Sequence, residues 1–392
     1  MKLILEGGTL FDGTGQTPIA DATVMVADQL IVFAGPSSEA SLPEGETRRY
    51  DTTGMTVMPG MIDSHLHLFT EFGMDGTLEE KFANDSDEMR AIRVVRRARE
   101  NLEAGFTTVR DVWIKTSVVV AARQAIAEGE FIGARIVTSG CFLTITGGPW
   151  DGHPMGMVVD GPDEARKAVR TLVREGVDLI KVMGTRTLSS ANFPDGGTFT
   201  DEELEAIVSE AHRAGKMVAA HAHTDTAGLK QLVKAGVDTI EHGGHADEES
   251  VRLMARQGTI LVPTLKAVHA HKDVPAARTA LEGMINTIKM AQAAGVTIAM
   301  GTDHADVHGR SAVELQYLVE AGLTSMQALV AATQGGSKAC GMADKIGTLK
   351  PGKLADIIVV DGNPLADVTI LQDLSRILLV IKEGQVVVSR GL

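Results

Sequence analysis

Apolar and polar positions change their rhythm twice along the chain. Residues 1–56 read as short strands near 2–5, 22–27, 29–34 and 48–51, punctuated by glycine and proline, the texture of a small β unit. From residue 57 helical patterns alternate with short apolar runs, and one junction recurs: helix, glycine, one or two residues, strand. It occurs as Glu103-Ala-Gly-Phe-Thr-Thr-Val-Arg, Arg174-Glu-Gly-Val-Asp-Leu-Ile-Lys and Lys234-Ala-Gly-Val-Asp-Thr-Ile-Glu-His, among others. Glycine there suits the left-handed position that ends a helix. Strands are read at 57–62, 107–112, 135–139, 179–183, 217–222, 239–241, 259–264 and 297–301. Their unbroken apolar character means burial on both faces, as in a parallel sheet. Eight such strands alternating with helices predict an α/β chain with a (β/α)8 TIM barrel over 57–344. A doubly wound open sheet competes, but no Gly-x-Gly-x-x-Gly turn follows the first strand. Thr200-Asp-Glu-Glu203 and Thr324-Ser-Met-Gln327 are capping-box patterns that mark two helix starts. After 345 the strand texture returns, at Ile357–Asp361, Ile377–Lys382 and Gln385–Ser389. These strands are expected to join residues 1–56 in a small β-sandwich domain built from both chain termini, residues 1–56 and 345–392.

Composition narrows the function. The 392 residues are 44% hydrophobic and 22% charged, a balance that suits a large globular chain. A net charge of −14 argues against a nucleic-acid footprint. Cys141 and Cys340 are the only cysteines, too few for a disulfide framework or a cysteine zinc site. No run of 18 apolar residues offers a membrane span, and the first residues lack the pattern of a secretory leader, so a cytoplasmic enzyme is expected.

Chemistry gathers where barrel strands end. In Val57–Phe69, VMPGMIDSHLHLF, His65 and His67 lie two apart on one strand, so their imidazoles face the same side while Leu66 faces the other. The fourth strand carries Lys181, the fifth ends in His221 and His223, the sixth in His242 and the eighth in Asp303. A single histidine is commonly structural. Four of eight strands ending in imidazole or carboxylate is the donor set of a metal site. Lys181 stands in Asp178-Leu-Ile-Lys-Val-Met-Gly184, where a bare ammonium is costly to bury. It can form a buried ion pair, serve as a Schiff-base amine, or take up CO2 as a carbamate whose two oxygens each bind a cation.

Together His65-x-His67, Lys181, His221 in VAAHAH, His242 in IEHGG, Asp303 in MGTDH and the closing GTLKPGKLADIIVVD resemble the amidohydrolase superfamily, binuclear type. The resemblance covers nearly the whole chain. Within that superfamily it is similar to the prolidase-like branch: metallo-dipeptidases of Xaa-Pro type and hydrolases of ochratoxin-like N-acyl amino acids. It implies two divalent metal ions, zinc the first choice. His65, His67 and Asp303 would hold the inner ion and His221 and His242 the outer, with a carboxylated Lys181 bridging both. It also implies a hydroxide between the metals as nucleophile, with Asp303 taking its proton and passing it to the leaving amine. A homo-oligomer acting on a small-molecule or dipeptide substrate, with no nucleic-acid or membrane partner, completes the expectation.

His223 is expected to face substrate or to orient a ligand. Pro149 stands where many prolidase-like relatives carry a histidine after Gly147-Gly148, and His153 follows four residues later as a candidate substrate contact. Arg186, in the polar stretch 184–198 with Asn192 and Asp195, is a candidate grip for a substrate carboxylate. Lys266, His269 and His271 follow the seventh strand, where relatives often present a tyrosine. Asp63 orients a neighbour or caps a loop, Glu241 supports a ligand, and Trp113 and Trp150 line either the pocket or the core. The competing functions are a cyclic amidohydrolase of imidazolonepropionase type, a carbamate or urea hydrolase, and an inactive barrel scaffold. A complete ligand set argues against the scaffold, because buried donors cost stability.

Overall fold

In a computed structural model the chain is described at residues 2–41, 45–69, 85–187, 197–223, 225–303 and 308–392. Both termini enter one eight-stranded sheet. It contains Lys2–Leu10 (β1), Ile19–Ala27 (β2), Leu30–Pro36 (β3), Arg48–Asp51 (β4), Met55–Pro59 (β5), Ile357–Asp361 (β15), Ile377–Lys382 (β16) and Gln385–Ser389 (β17). The strand order is β17-β16-β15-β5-β1-β2-β3, with β4 also paired to β1. The chain ends meet through β15 beside β5, antiparallel, Val359 opposite Val57. Leu3, Leu5, Val24, Ile357 and Leu379 belong to a core of this sheet's own.

The middle of the chain alternates strands with helices. Met61–Leu66 (β6), Phe106–Asp111 (β7) and Arg135–Thr138 (β8) form one parallel sheet. Phe142–Thr144 (β9), Gly156–Val158 (β10), Leu179–Val182 (β11), Met217–Ala222 (β12), Thr239–His242 (β13) and Ile260–Val262 (β14) form a second parallel sheet, ordered β10-β9-β11-β12-β13-β14. Asp178 N donates to Thr138 O at 2.8 Å across the gap between the two. On the other side the stretch 297–302 bridges them. Leu261 N donates to Thr297 O (3.0 Å), Ala299 N to Leu261 O (2.9 Å) and Ser64 N to Met300 O (2.9 Å).

The predicted junctions form as the glycine chemistry requires. The helix Pro162–Glu175 buries Ala165, Ala168, Val169 and Leu172, spaced three and four apart on one face. It stops at Gly176, whose φ of 93° lies in the left-handed region that a side chain resists. Thr200 and Thr324 cap their helices reciprocally with Glu203 and Gln327, each box worth about 1 kcal/mol or more to its helix.

Two expectations are corrected. The apolar run 57–62 is two strands, because Gly60 breaks it. A Cβ there would lie 2.3 Å from the Thr107 side chain, and Gly60 N donates to Asp356 O. Residues 55–59 therefore serve the terminal sheet and 61–66 the parallel one. The eighth run, 297–301, holds only an isolated bridge, Leu261 to Ile298, since Met300 N turns away to Ala331 O (3.0 Å). Strands β9 and β10 were not foreseen. No helix among the described residues is long and apolar enough to cross a membrane.

Candidate metal centre

Strand β6 delivers His65 and His67 to one buried corner, their ring centroids 5.4 Å apart. Asp303 meets both, its Oδ1 2.7 Å from His67 Nε2 and 3.4 Å from His65 Nε2. Donor atoms of these three residues lie within 4.8 Å of one another, a His-His-Asp cluster able to hold a metal ion. Asp63 sets the approach. Its Oδ1 accepts from Thr302 N (3.1 Å) and His65 N (3.2 Å), and its Oδ2 from Thr302 Oγ1 (2.7 Å). Asp303 N donates to His65 O at 2.7 Å, so the carboxylate is carried to the histidines by backbone as well.

The remaining candidates close round this corner. The His242 ring lies 5.2 Å from His65 and 4.5 Å from His221. His223 stacks on His242, centroids 5.0 Å apart with the planes 15° off parallel. Its backbone N donates to Thr185 Oγ1 (2.9 Å). His242 Nδ1 is 2.6 Å from Thr264 Oγ1. Burial foremost, with the Lys181 charge for His221 and the His221 charge for His242, holds both imidazoles well below the ordinary pKa. They are neutral, the form that binds metals.

Lys181 is buried and its Nζ has no hydrogen-bond partner among the described residues. The ion-pair alternative is not what the structure shows, because the nearby carboxylates are engaged elsewhere. Glu241, fully buried, has Oε2 2.5 Å from His65 Nδ1 and accepts from Arg110 Nη2 at 2.8 and 3.0 Å and from the Thr239 hydroxyl. Burial pulls the Lys181 amine down to about 8. His221 Nε2, His223 Nδ1 and His67 Nδ1 are likewise buried without partners. Buried polar atoms normally find one, and each left unmade costs about 1–3 kcal/mol. Neutral imidazole nitrogens buried beside the His65, His67 and Asp303 cluster are the donor type that divalent ions satisfy, so these residues fit a metal centre.

Backbone strain concentrates at the same place. His242 (φ 71°), Thr264 (φ 55°) and Asp303 (φ 48°) all occupy the left-handed region without being glycine. Such residues cost on the order of 1–3 kcal/mol each and persist only where neighbours over-determine them. Thr264 is held because Glu314 accepts from Leu265 N (2.8 Å) and Lys266 N (2.7 Å) directly after it.

His153 is half-buried, its ring 5.0 Å from Trp113, and its Nδ1 accepts from Met155 N at 3.2 Å. Arg186 is half-buried in the segment that leaves β11. Asn192 and Asp195 lie outside the described residues. His269 stacks on Tyr317 at 4.0 Å, so a tyrosine does stand by the seventh strand, supplied by a later helix. Arg110, Glu314 and Thr264 escaped the sequence reading. Arg110 carried a usable signal, a lone cation inside the apolar strand Phe106–Asp111, the same signal that singled out Lys181.

Comparison with known proteins meets this geometry. The amidohydrolase family model matches residues 56–387, and the chain belongs to that family. Ochratoxinase of Aspergillus niger is 32% identical over 430 residues, covering 99% of this chain and 87% of that protein. Among solved structures, a Xaa-Pro dipeptidase with bound methionine in the active site superposes with TM-score 0.89 at 33% identity, covering 98% of this chain and 99% of that one. The crystal structure of A. niger ochratoxinase gives 0.90 at 28% identity, covering 100% and 96%. Within the superfamily the chain stands in the prolidase-like and ochratoxinase branch, and it is a hydrolase acting on C–N bonds.

Proposed function

We propose that the chain is a binuclear metal-dependent hydrolase that cleaves an amide or peptide bond, its substrate a Xaa-Pro type dipeptide or an N-acyl amino acid. One observation carries it: Lys181 Nζ lies buried beside His65, His67, His221 and Asp303, with no hydrogen-bond partner among the described residues. The relatives, an ochratoxinase and a Xaa-Pro dipeptidase, support the bond type. His65, His67 and Asp303 would hold one divalent ion and His221 and His242 a second. Burial lowers the Lys181 pKa to about 8, which raises the share of neutral amine at physiological pH. That neutral amine would attack CO2 and lose a proton, giving a carbamate that offers anionic oxygens to the ions. Two divalent ions, zinc the first choice, supply Lewis acidity and lower the pKa of water toward neutrality.

This chain's own residues do the rest. Asp303, kept ionised by its two histidines despite burial, accepts the proton of the attacking water and returns it to the departing nitrogen as the C–N bond breaks. Glu241 accepts a hydrogen bond from His65 Nδ1–H, which fixes the tautomer whose Nε2 lone pair faces the site. His223, His153 and Arg186 are assigned to the substrate, Arg186 to its carboxylate. A closed (β/α)8 barrel over 57–344 and a β-sandwich support from 1–56 and 345–392 belong to the same proposal, supported by the hydrogen bonds on either side of 297–302 and by the shared terminal sheet. So do a cytoplasmic location and a homo-oligomer.

The test is a hydrolysis screen of the zinc-loaded protein, grown with bicarbonate, against dipeptides, N-acyl amino acids and cyclic amides, with metal counted per chain. Turnover of linear amides with about two metals per chain is expected. Turnover of cyclic amides alone with one metal, or no turnover and no metal, overturns the proposal.

A further inference from the structure

The chain has only two tryptophans, and the fold sets them against each other beside the candidate metal centre. Trp113 follows β7, and Trp150 stands in the loop between β9 and β10. Their ring centroids are 4.9 Å apart. Trp113 meets the His67 ring edge-on at 5.3 Å, and Phe142 and Phe69 back it at 5.6 and 6.4 Å. His153 stands edge-on to both tryptophans, at 5.0 and 5.9 Å. Asp111 holds this wall in register with the centre, one oxygen accepting from Trp113 N (3.1 Å) and the other from Leu68 N (2.7 Å), next to His67.

Packing alone does not account for Trp150. It remains 36% exposed, and its φ of 59° lies in the left-handed region, a costly conformation for so bulky a side chain. The loop enforces it: Thr144 Oγ1 donates to Pro149 O (2.9 Å), and His153 N donates to Trp150 O (3.0 Å). A core tryptophan gains full burial and avoids strain, whereas this one stays partly exposed and strained, its ring set against Trp113, which in turn meets His67. Strain retained at an exposed aromatic beside buried metal donors marks a ligand contact.

We propose that Trp113 and Trp150 form an aromatic subsite that takes a planar aromatic group of the substrate, next to the scissile bond. This rests on the amide-hydrolase proposal above and names its substrate class. Tilted and edge-to-face ring pairs favour an aromatic guest over an aliphatic one of equal area.

Matched pairs test it: N-acetyl-phenylalanine against N-acetyl-leucine, N-benzoyl-glycine against N-acetyl-glycine, with glycyl-proline as the prolyl probe. The zinc-loaded enzyme is followed by turnover and by tryptophan fluorescence, excited where the two tyrosines do not absorb so that it reports only these two rings. In at least one pair the aromatic member is expected to bind about ten-fold more tightly and to quench the emission. Trp150→Ala lowers that aromatic-to-aliphatic ratio about ten-fold, mainly through KM, and Trp150→Phe restores most of it. Circular dichroism checks that both variants fold. Equal binding of both members, a ratio unmoved in Trp150→Ala, or a loss confined to glycyl-proline overturns the subsite. If no amide is cleaved yet the binding preference vanishes in Trp150→Ala, the subsite stands and the hydrolase proposal falls.

Discussion

The two halves of the centre are built on different terms. Around His65, His67 and Asp303 the protein answers most of its own polar groups: Glu241 meets His65, Asp303 meets His67 Nε2, and Asp63 ties Thr302 to β6, while His67 Nδ1 stays without a partner among the described residues. Around Lys181, His221 and His223 it answers fewer, and among the described residues an amine and two ring nitrogens stay buried without partners. Folding therefore assembles the first half largely unaided and holds the second at a greater cost. A chain tolerates orphaned donors beside a satisfied set when something other than folding uses them. The difference separates a scaffold, which would have paired Lys181 with an acid, from a site that needs a bridging group.

Lys181→Ala should break the second half outright. Bound metal is expected to fall from about two per chain to one or none, with hydrolysis dropping to background and an unchanged circular dichroism spectrum. Full activity in that variant removes the bridge from the proposal. Glu241→Gln attacks the first half through its support. Metal affinity should weaken about 10–100-fold as His65 loses its orienting carboxylate. Leaving Arg110 buried without a charge partner should also cost about 3–5 kcal/mol in urea unfolding. An unchanged zinc affinity in a competition titration would show that His65 needs no such support.

The smallest effect concerns pH in the metal-free protein. Lys181 titrates at about 8 in the folded chain and at 10.5 when unperturbed. Between these values the unfolded state holds the extra proton, so stability rises with pH across that window. Below pH 8 both states are protonated and the full penalty of the buried charge remains. A gain of order 1–3 kcal/mol between pH 8 and 10.5 is expected. Lys181→Met should lose this increment, while the other titrating groups stay common to both proteins. Parallel stability profiles for the two would mean that the amine is not buried as described.

Much of this was written locally. The capping boxes at Thr200 and Thr324 and the junction glycines are short-range patterns, and each formed as read, while the spacing of His65 and His67 brings their rings together although β6 ends at Leu66, one residue before His67. The break at Gly60 was not legible, because it depends on Thr107 and Asp356 from distant strands. Nor was the support of the site. Glu241 is 176 residues from His65 and 131 from Arg110, and nothing in either neighbourhood announces the pairing. The two tryptophans were visible as residues but not as neighbours.

Residue order by itself determined which donors exist and that they lie in or just after short apolar runs, since period and turn chemistry act over a few positions. Only the tertiary structure decided which donors are answered and which are left for something else. Hydrogen-bond partners and desolvation are set by groups hundreds of residues apart in the chain, and no local pattern encodes them.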